Sequence, residues 1–274
     1  NTRRYHGLLF VSGHSPGDRF LAVSKVEDSC EDETANWELS SNVYPGVIHP
    51  DGRKNLLEFR RYPFPTYVYK IGRRLLLKEV FMVSGEKGVF CVYRLQGDAQ
   101  DDDAGLRLRI RPLLNNRFYH HTGREGSWLP RFQPLEGAVA LEGHCCGPLL
   151  LSCSSSSFHP EPVWYKNMLY PRERERGLDY SEDHLCPGEF RARLRSGEEV
   201  IMWAGPAGDD ECKREHTTGL QAVYVACRAK EEARRRALLG DKESLSGKVA
   251  FAADQFVVKS PEGSSIIAGY HWFG

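Results

Sequence analysis

Short apolar runs, each closed by Gly, Pro, Asp or Ser, fill the first two-thirds of the chain. Residues 7–12, 19–26, 75–83 and 88–95 are rich in Val, Leu and Phe, a composition that suits half-buried strands. Ser84-Gly85-Glu86-Lys87, between the last two runs, reads as a hairpin connection. Residues 106–111 alternate Leu or Ile with Arg, so one face of that strand meets a core and the other meets water. Further strands are predicted at 138–142, 149–152, 190–194 and 199–203. Many short strands with no helix between them predict a mainly-β chain built as an antiparallel sandwich, not a βαβ fold.

The pattern changes near Gly205. Helix formers fill residues 209–239, Gly240-Asp241 reads as a stop, and 241–255 reads as a second helix. The expected organisation is a sandwich domain over 1–205, a helical linker over 206–260, and the start of a further domain over 261–274. Asp101-Asp102-Asp103 reads as a loop tip. Arg234-Arg235-Arg236 reads as a solvated helix face, because Glu231 and Glu232 lie within helical reach. Residues 160–188 are polar, sit between strands and are too long for a plain connection. Long ordered loops of this kind often carry function.

Composition then excludes several classes. Of 274 residues, 41% are hydrophobic, mean hydropathy is -0.49, and no apolar run approaches a membrane span. Lys+Arg and Asp+Glu balance at 37 each, so no long-range field draws nucleic acid or an anionic membrane. None of the eight cysteines lies in a C-x-x-C pair, and Cys91 and Cys153 sit inside apolar runs. Reduced thiols in a cytoplasmic protein are the expectation. His120-His121 and His144-Cys145-Cys146 lack the spacing of a zinc site, so no metal is expected. No G-x-G-x-x-G or P-loop calls for a nucleotide, so no cofactor is expected. Ser154 to Ser157 carry no G-x-S-x-G context for a serine nucleophile. The chain begins at Asn1 and ends on an aromatic Tyr270-His271-Trp272-Phe273-Gly274, which reads as a piece of something longer.

Three blocks are more specific. The first is Thr2-Arg3-Arg4-Tyr5-His6-Gly7-Leu8-Leu9. The second runs Trp164-Tyr165-Lys166-Asn167-Met168-Leu169-Tyr170, then Glu173, Glu175-Arg176-Gly177-Leu178-Asp179, Glu182-Asp183 and Pro187-Gly188. The third is Ala252-Ala253-Asp254-Gln255-Phe256, followed by Ser265-Ile266-Ile267-Ala268-Gly269-Tyr270-His271-Trp272-Phe273-Gly274. In this order they resemble the N-terminal part of glycogen debranching enzymes of the bacterial and archaeal amylo-α-1,6-glucosidase kind. His271 departs from the pattern, where the resemblance leads one to expect Pro, and the acidic stretch that follows in relatives is not in this chain. The resemblance implies a large supersandwich-like β domain, a helical linker, and then an (α/α)6 barrel that hydrolyses α-1,6-glucosidic branch linkages of glycogen. It places both catalytic carboxylates beyond Gly274, so no catalytic residue is expected here.

The residues expected to touch substrate or to line a domain interface are Arg4, Tyr5, His6, Trp164, Tyr165, Asn167, Tyr170, Glu173, Arg176, Asp183 and Trp272. Aromatic rings pack on the apolar C–H faces of sugars, and Asn, Glu, Arg and Asp hydrogen-bond hydroxyls. The same residues could instead dock the chain onto its own C-terminal catalytic domain, with Arg176 pairing a carboxylate. The implied partners are an α-glucan and that catalytic domain. A stand-alone glucan-binding module and a purely structural domain remain the alternatives.

Overall fold

A computed structural model of the chain describes residues 1–13, 18–97, 105–239, 244–260 and 263–266. The expected loop tip at Asp101 to Asp103, the stop at Gly240-Asp241, and Trp272 with the final aromatic run lie outside these residues.

The apolar runs pair into two antiparallel sheets. In chain order the strands are β1 (Leu9–Ser12), β2 (Arg19–Glu31), β3 (Asn36–Glu38), β4 (Ser41–Tyr44), β5 (Val47–Asp51), β6 (Leu56–Arg60), β7 (Thr66–Ile71), β8 (Arg74–Met82) and β9 (Val89–Gln96). There follow β10 (Leu106–Phe118), β11 (Arg131–Leu135), β12 (Ala138–Glu142), β13 (Leu149–Cys153), β14 (Ser156–Leu169), helix α1 (Pro171–Glu175), β15 (Ser181–Leu194) and β16 (Glu199–Pro206). One six-stranded sheet runs β1-β2-β10-β15-β14, with β3 also paired to β2. The other, eight-stranded, runs β11-β12-β13-β16-β9-β8-β7-β6.

Their inner faces share one core. Leu9, Val23, Leu108 and Phe190 of the first sheet meet Ile71, Tyr93, Leu141 and Leu151 of the second. Burying each such side chain favours the fold by about 1.5–3 kcal/mol. The alternation at 106–111 is realised directly. Leu106, Leu108 and Ile110 point into the core, while Arg107 and Arg109 point out and pair with Glu31 at 3.1 and 3.2 Å. The core is not wholly apolar. Asp28 of β2 bridges to Lys78 of β8 at 2.5 Å and accepts the Tyr93 hydroxyl at 2.9 Å, tying the two sheets together.

The helical part does not stand apart. The run 209–239 forms two helices, α2 (Asp210–Thr217) and α3 (Leu220–Leu239), separated at Thr218-Gly219. Asp209 caps α2 by accepting the Cys212 N–H at 2.9 Å. Leu220 and Tyr224 of α3 pack on the outer face of the eight-stranded sheet, against Phe64, Phe81, Phe90 and Trp203. Around this apolar patch, Arg94 pairs with Glu199 at 2.5 Å and Arg228 pairs with Glu79. Arg234 and Arg235 both pair with buried Glu231, at 3.0 and 2.9 Å, and Arg235 lies over the Phe64 ring at 4.3 Å, so this stretch is a packed face and not the solvated one expected. A third helix, α4 (Leu245–Asp254), is capped by Ser244, and the hairpin β17 (Val257–Ser260) and β18 (Gly263–Ile266) follows.

Candidate functional site

Residues 160–188, read from sequence as a long loop, are instead most of a β-hairpin. Strands β14 and β15 pair from Ser156↔Ala192 to Leu169↔Ser181, with α1 at the tip. Two Pro residues, Pro160 and Pro162, hide the strand in the sequence. They are accommodated because the register shifts between Pro160 and Val163, where the ladder is already interrupted. Gly188 faces that irregularity at φ 144°, and a side chain there would run into the His159 carbonyl. A second shift, between Tyr165 and Met168, puts Asn167 in the left-handed region at φ 59°. Asn tolerates this conformation better than most residues. Its backbone N–H donates to Asp183 Oδ1 at 2.7 Å.

The tip meets the start of the chain. Pro171 opens α1, where a missing N–H costs nothing. The Arg172 N–H donates to the Thr2 carbonyl at 3.0 Å, and Arg3 Nε donates to Glu173 Oε1 at 3.1 Å. The first and second sequence blocks are therefore one site.

Beneath it lies a buried polar network. Glu182 is 0% exposed and is a hub for donors. Arg117 grips both its oxygens, with Nη2 to Oε2 at 2.9 Å. The Gly123 N–H donates to Oε1 at 2.7 Å, Asn115 Nδ2 donates at 3.2 Å, and the Tyr170 hydroxyl donates to Oε2. Gly123 must be glycine on space grounds, since a Cβ there would strike the Asn115 amide. Burial by itself raises the Glu182 carboxyl, but the His184 ring, the Arg117 guanidinium and the Tyr170 hydroxyl outweigh it and hold the group below the usual carboxylate range. His184, also fully buried, is pushed down to about 4 by desolvation and is therefore neutral near pH 7. Arg117 also reaches back to the Arg4 carbonyl at 2.6 Å, which anchors the first block on the same network.

The rim above is unfinished. Glu173 is 0% exposed, yet its Oε2 has no hydrogen-bond partner among the described residues, and Arg176 Nη1 stays 4.0 Å away. Arg4 Nε is likewise buried without a hydrogen-bond partner among the described residues. An unpaired buried polar atom costs about 1–3 kcal/mol. Arg176 is 48% exposed and faces outward, and Arg174 lies over the Tyr180 ring at 5.6 Å.

The expected site residues thus separate into groups. Arg4, Tyr5, Tyr170, Glu173, Arg176 and Asp183 gather at this junction. Tyr5 is buried, its hydroxyl 3.1 Å from His120 Nδ1, with the Arg3 and Arg4 guanidinium groups 5.8 and 5.3 Å from its ring. Asp183 is spent on structure, accepting from Asn167 and from the Glu125 N–H at 3.0 Å. His6 is exposed beside the Thr2 hydroxyl at 3.4 Å. Trp164 and Tyr165 are displaced from the rim by the pleat. Trp164 packs half-buried against the inter-sheet core, and Tyr165 packs against Leu113, Met168 and Cys186 on the opposite face. Asn167 keeps an exposed side chain. Arg117, Asn115, His120 and His184 were not expected. Their signal is period two: Asn115 and Arg117 share one face of β10, and Glu182 and His184 share one face of β15.

Comparisons place the chain. The family model for the glycogen debranching enzyme N-terminal domain matches residues 1–201. Among solved structures, the chain is similar to a bacterial glucoamylase complexed with acarbose. The identity is 12% and the TM-score 0.39, over 83% of this chain and 33% of that one. It is also similar to a polysaccharide lyase, at 8% identity and a TM-score of 0.35, over 71% and 27% of the two chains. The chain thus spans about a third of the glucoamylase's length. No curated protein matches it. Among the described residues, no helix is long and apolar enough to cross a membrane. With the two blocks joined at one face of an antiparallel sandwich and the family model matched over 1–201, the chain belongs to the family of glycogen debranching enzyme N-terminal domains.

Proposed function

We propose that this chain is the N-terminal domain of an enzyme that hydrolyses α-1,6-glucosidic branch linkages, and that it braces the catalytic domain and shapes one side of its substrate cleft. The observation that carries the reading is the unfinished rim. Glu173 Oε2 and Arg4 Nε are buried without a hydrogen-bond partner among the described residues, next to the outward Arg176, on the face where both family-like blocks converge. Arg176 is the exposed group of this rim that a docked surface can pair, and Glu173 Oε2 and Arg4 Nε lie covered beneath it. A helical catalytic domain following residue 274 is that surface, and the α-glucan runs along the seam. Catalysis needs a pair of carboxyl groups flanking the bond. The buried carboxylates of this chain do not serve, because Glu182 is enclosed by Arg117 and Glu173 is bound to Arg3. The free-standing binding module is disfavoured by Trp164, whose ring packs on the core instead of offering a sugar platform.

The test is glucose release from a branched limit dextrin. The full-length parent should release glucose and this chain alone should not. Equal release by the isolated chain, or a parent that cleaves only α-1,4 linkages, overturns the reading.

A further inference from the structure

The turn between β12 and β13 brings together chemistry that its sequence spacing conceals. Gly143-His144-Cys145-Cys146-Gly147 begins and ends on glycines at φ 95° and 97°. The reversal is tied down locally. The Gly147 N–H donates to the His144 carbonyl at 3.0 Å, and the Cys145 N–H donates to Asn116 Oδ1 at 3.0 Å. A ring nitrogen of His144 and the two Sγ atoms all lie within 4.8 Å of one another. The sulfurs are 3.8 Å apart. Two sulfurs bound at about 2.3 Å to one tetrahedral metal stand about 3.8 Å from each other. A disulfide requires about 2.0 Å. The separation is that of two ligands sharing an ion.

The histidine is held as a metal ligand is usually held. His144 is 5% exposed, with the Trp128 ring edge-on at 5.8 Å. Trp128 Nε1 in turn donates to the Gly143 carbonyl at 2.9 Å. One ring nitrogen, Nε2, faces the Leu21 carbonyl at 3.5 Å, which leaves Nδ1 turned into the loop, where it accepts the Cys146 N–H at 3.1 Å. A backbone carbonyl on the far nitrogen is the common support of a ligating histidine. Cys145 is exposed and Cys146 half-buried, so an ion reaches them from solvent, unlike Cys30, Cys91, Cys153 and Cys186 inside the strands.

We propose that His144, Cys145 and Cys146 bind one thiophilic divalent cation of the zinc type, with a fourth position open to solvent. Binding forms two metal–sulfur bonds and releases two protons, one from each thiol. The Nδ1 lone pair passes from the Cys146 N–H to the ion. The site lies apart from the hairpin rim and does not depend on the glucan reading.

The experiment is titration of the reduced full chain with Cd(II), following sulfur-to-cadmium charge-transfer absorption, proton release and displacement by Zn(II). The expected result is one ion per chain, two protons released, and a band that Zn(II) removes. Cys145→Ser, at an exposed turn position, should keep the far-ultraviolet dichroism of the fold and weaken binding at least tenfold. Cys146→Ser should do the same. Unchanged stoichiometry and affinity in folded Cys145→Ser overturns the proposal. So does loss of binding in Cys212→Ser alone, which would move the site to Cys212 and His216, 3.6 Å apart. Absence of any cadmium–sulfur band in the unsubstituted chain, while a thiol reagent titrates Cys145 as free, also overturns it.

Discussion

Glu182 and Glu173 belong to the same junction, and both are wholly buried, yet they are completed differently. Glu182 accepts from Arg117, Tyr170, Asn115 and Gly123 and needs nothing further. Glu173 accepts from Arg3 on one oxygen, and the other has no hydrogen-bond donor among the described residues, with only Arg176 at 4.0 Å. A buried charge with a full set of donors is a device for fixing one conformation of the surrounding chain. A buried charge with half a set, its second oxygen 4.0 Å from the Arg176 guanidinium, fixes its surroundings less tightly. The first holds the hairpin and the N-terminal segment in place, and the second ties the hairpin tip to Arg3 beneath an exposed Arg176.

The comparison breaks most sharply at Glu182. Glu182→Ala strands the buried Arg117 guanidinium and should cost about 3–5 kcal/mol in urea unfolding. A loss below about 1 kcal/mol would mean that the network is ornamental.

Acid should act on the closed network next. The folded His184 pKa, about 4, lies below its unfolded value near 6.5. The unfolded chain therefore takes the proton first. Stability is fully present above pH 6.5 and falls as pH drops toward 4, by about 3 kcal/mol. The lowered Glu182 carboxyl adds a loss of the same sign below its ordinary range. Unfolding free energy measured from pH 7 to 4 checks this, and a folded His184→Gln variant should show a flatter profile over that window.

A smaller effect is expected at the bulge that aims the hairpin. Asn167→Ala should cost about 1 kcal/mol because of its left-handed backbone, while Asn167→Gly should be nearly neutral. Equal costs for the two, read from thermal unfolding, would show that the side chain and not the backbone is what matters there.

How much of this was legible depends on how many faces of each strand are buried. The strand at 106–111 announces itself because only one of its faces is dry, so Leu and Arg alternate. The reading of β15 started at Phe190, although the strand begins at Ser181, because Glu182, Asp183 and His184 are consecutive, polar and all buried. Such a run reads as a loop until its partners on β10 and at Gly123 are known. Strand β14 is masked by Pro160, Pro162 and two register shifts. Strand β6 was missed for the opposite reason. It is an edge strand with every residue exposed, Leu57 at 61%, and so it carries no alternation at all. The blocks at 2–9 and 164–188 stand out in the sequence as two separate segments. Their spatial contact, through Thr2 to Arg172 and Arg3 to Glu173, depends on pairing across the whole sheet and has no local signature. The same blindness hid the turn at 143–147, where residue spacing excluded a metal and backbone reversal brings three ligand atoms together.

The most direct test of the rim is to measure what Arg176→Ala costs twice, in this chain alone and in the full-length parent. In the isolated chain Arg176 is exposed and stays 4.0 Å from Glu173, so the cost should stay within about 1 kcal/mol. In the parent, if the proposed catalytic domain pairs that guanidinium, the cost should exceed that of the isolated chain by about 1–3 kcal/mol, with a matching fall in kcat/KM for branch hydrolysis. Equal costs in the two contexts would contradict the account, because Arg176 would then have no partner beyond this chain.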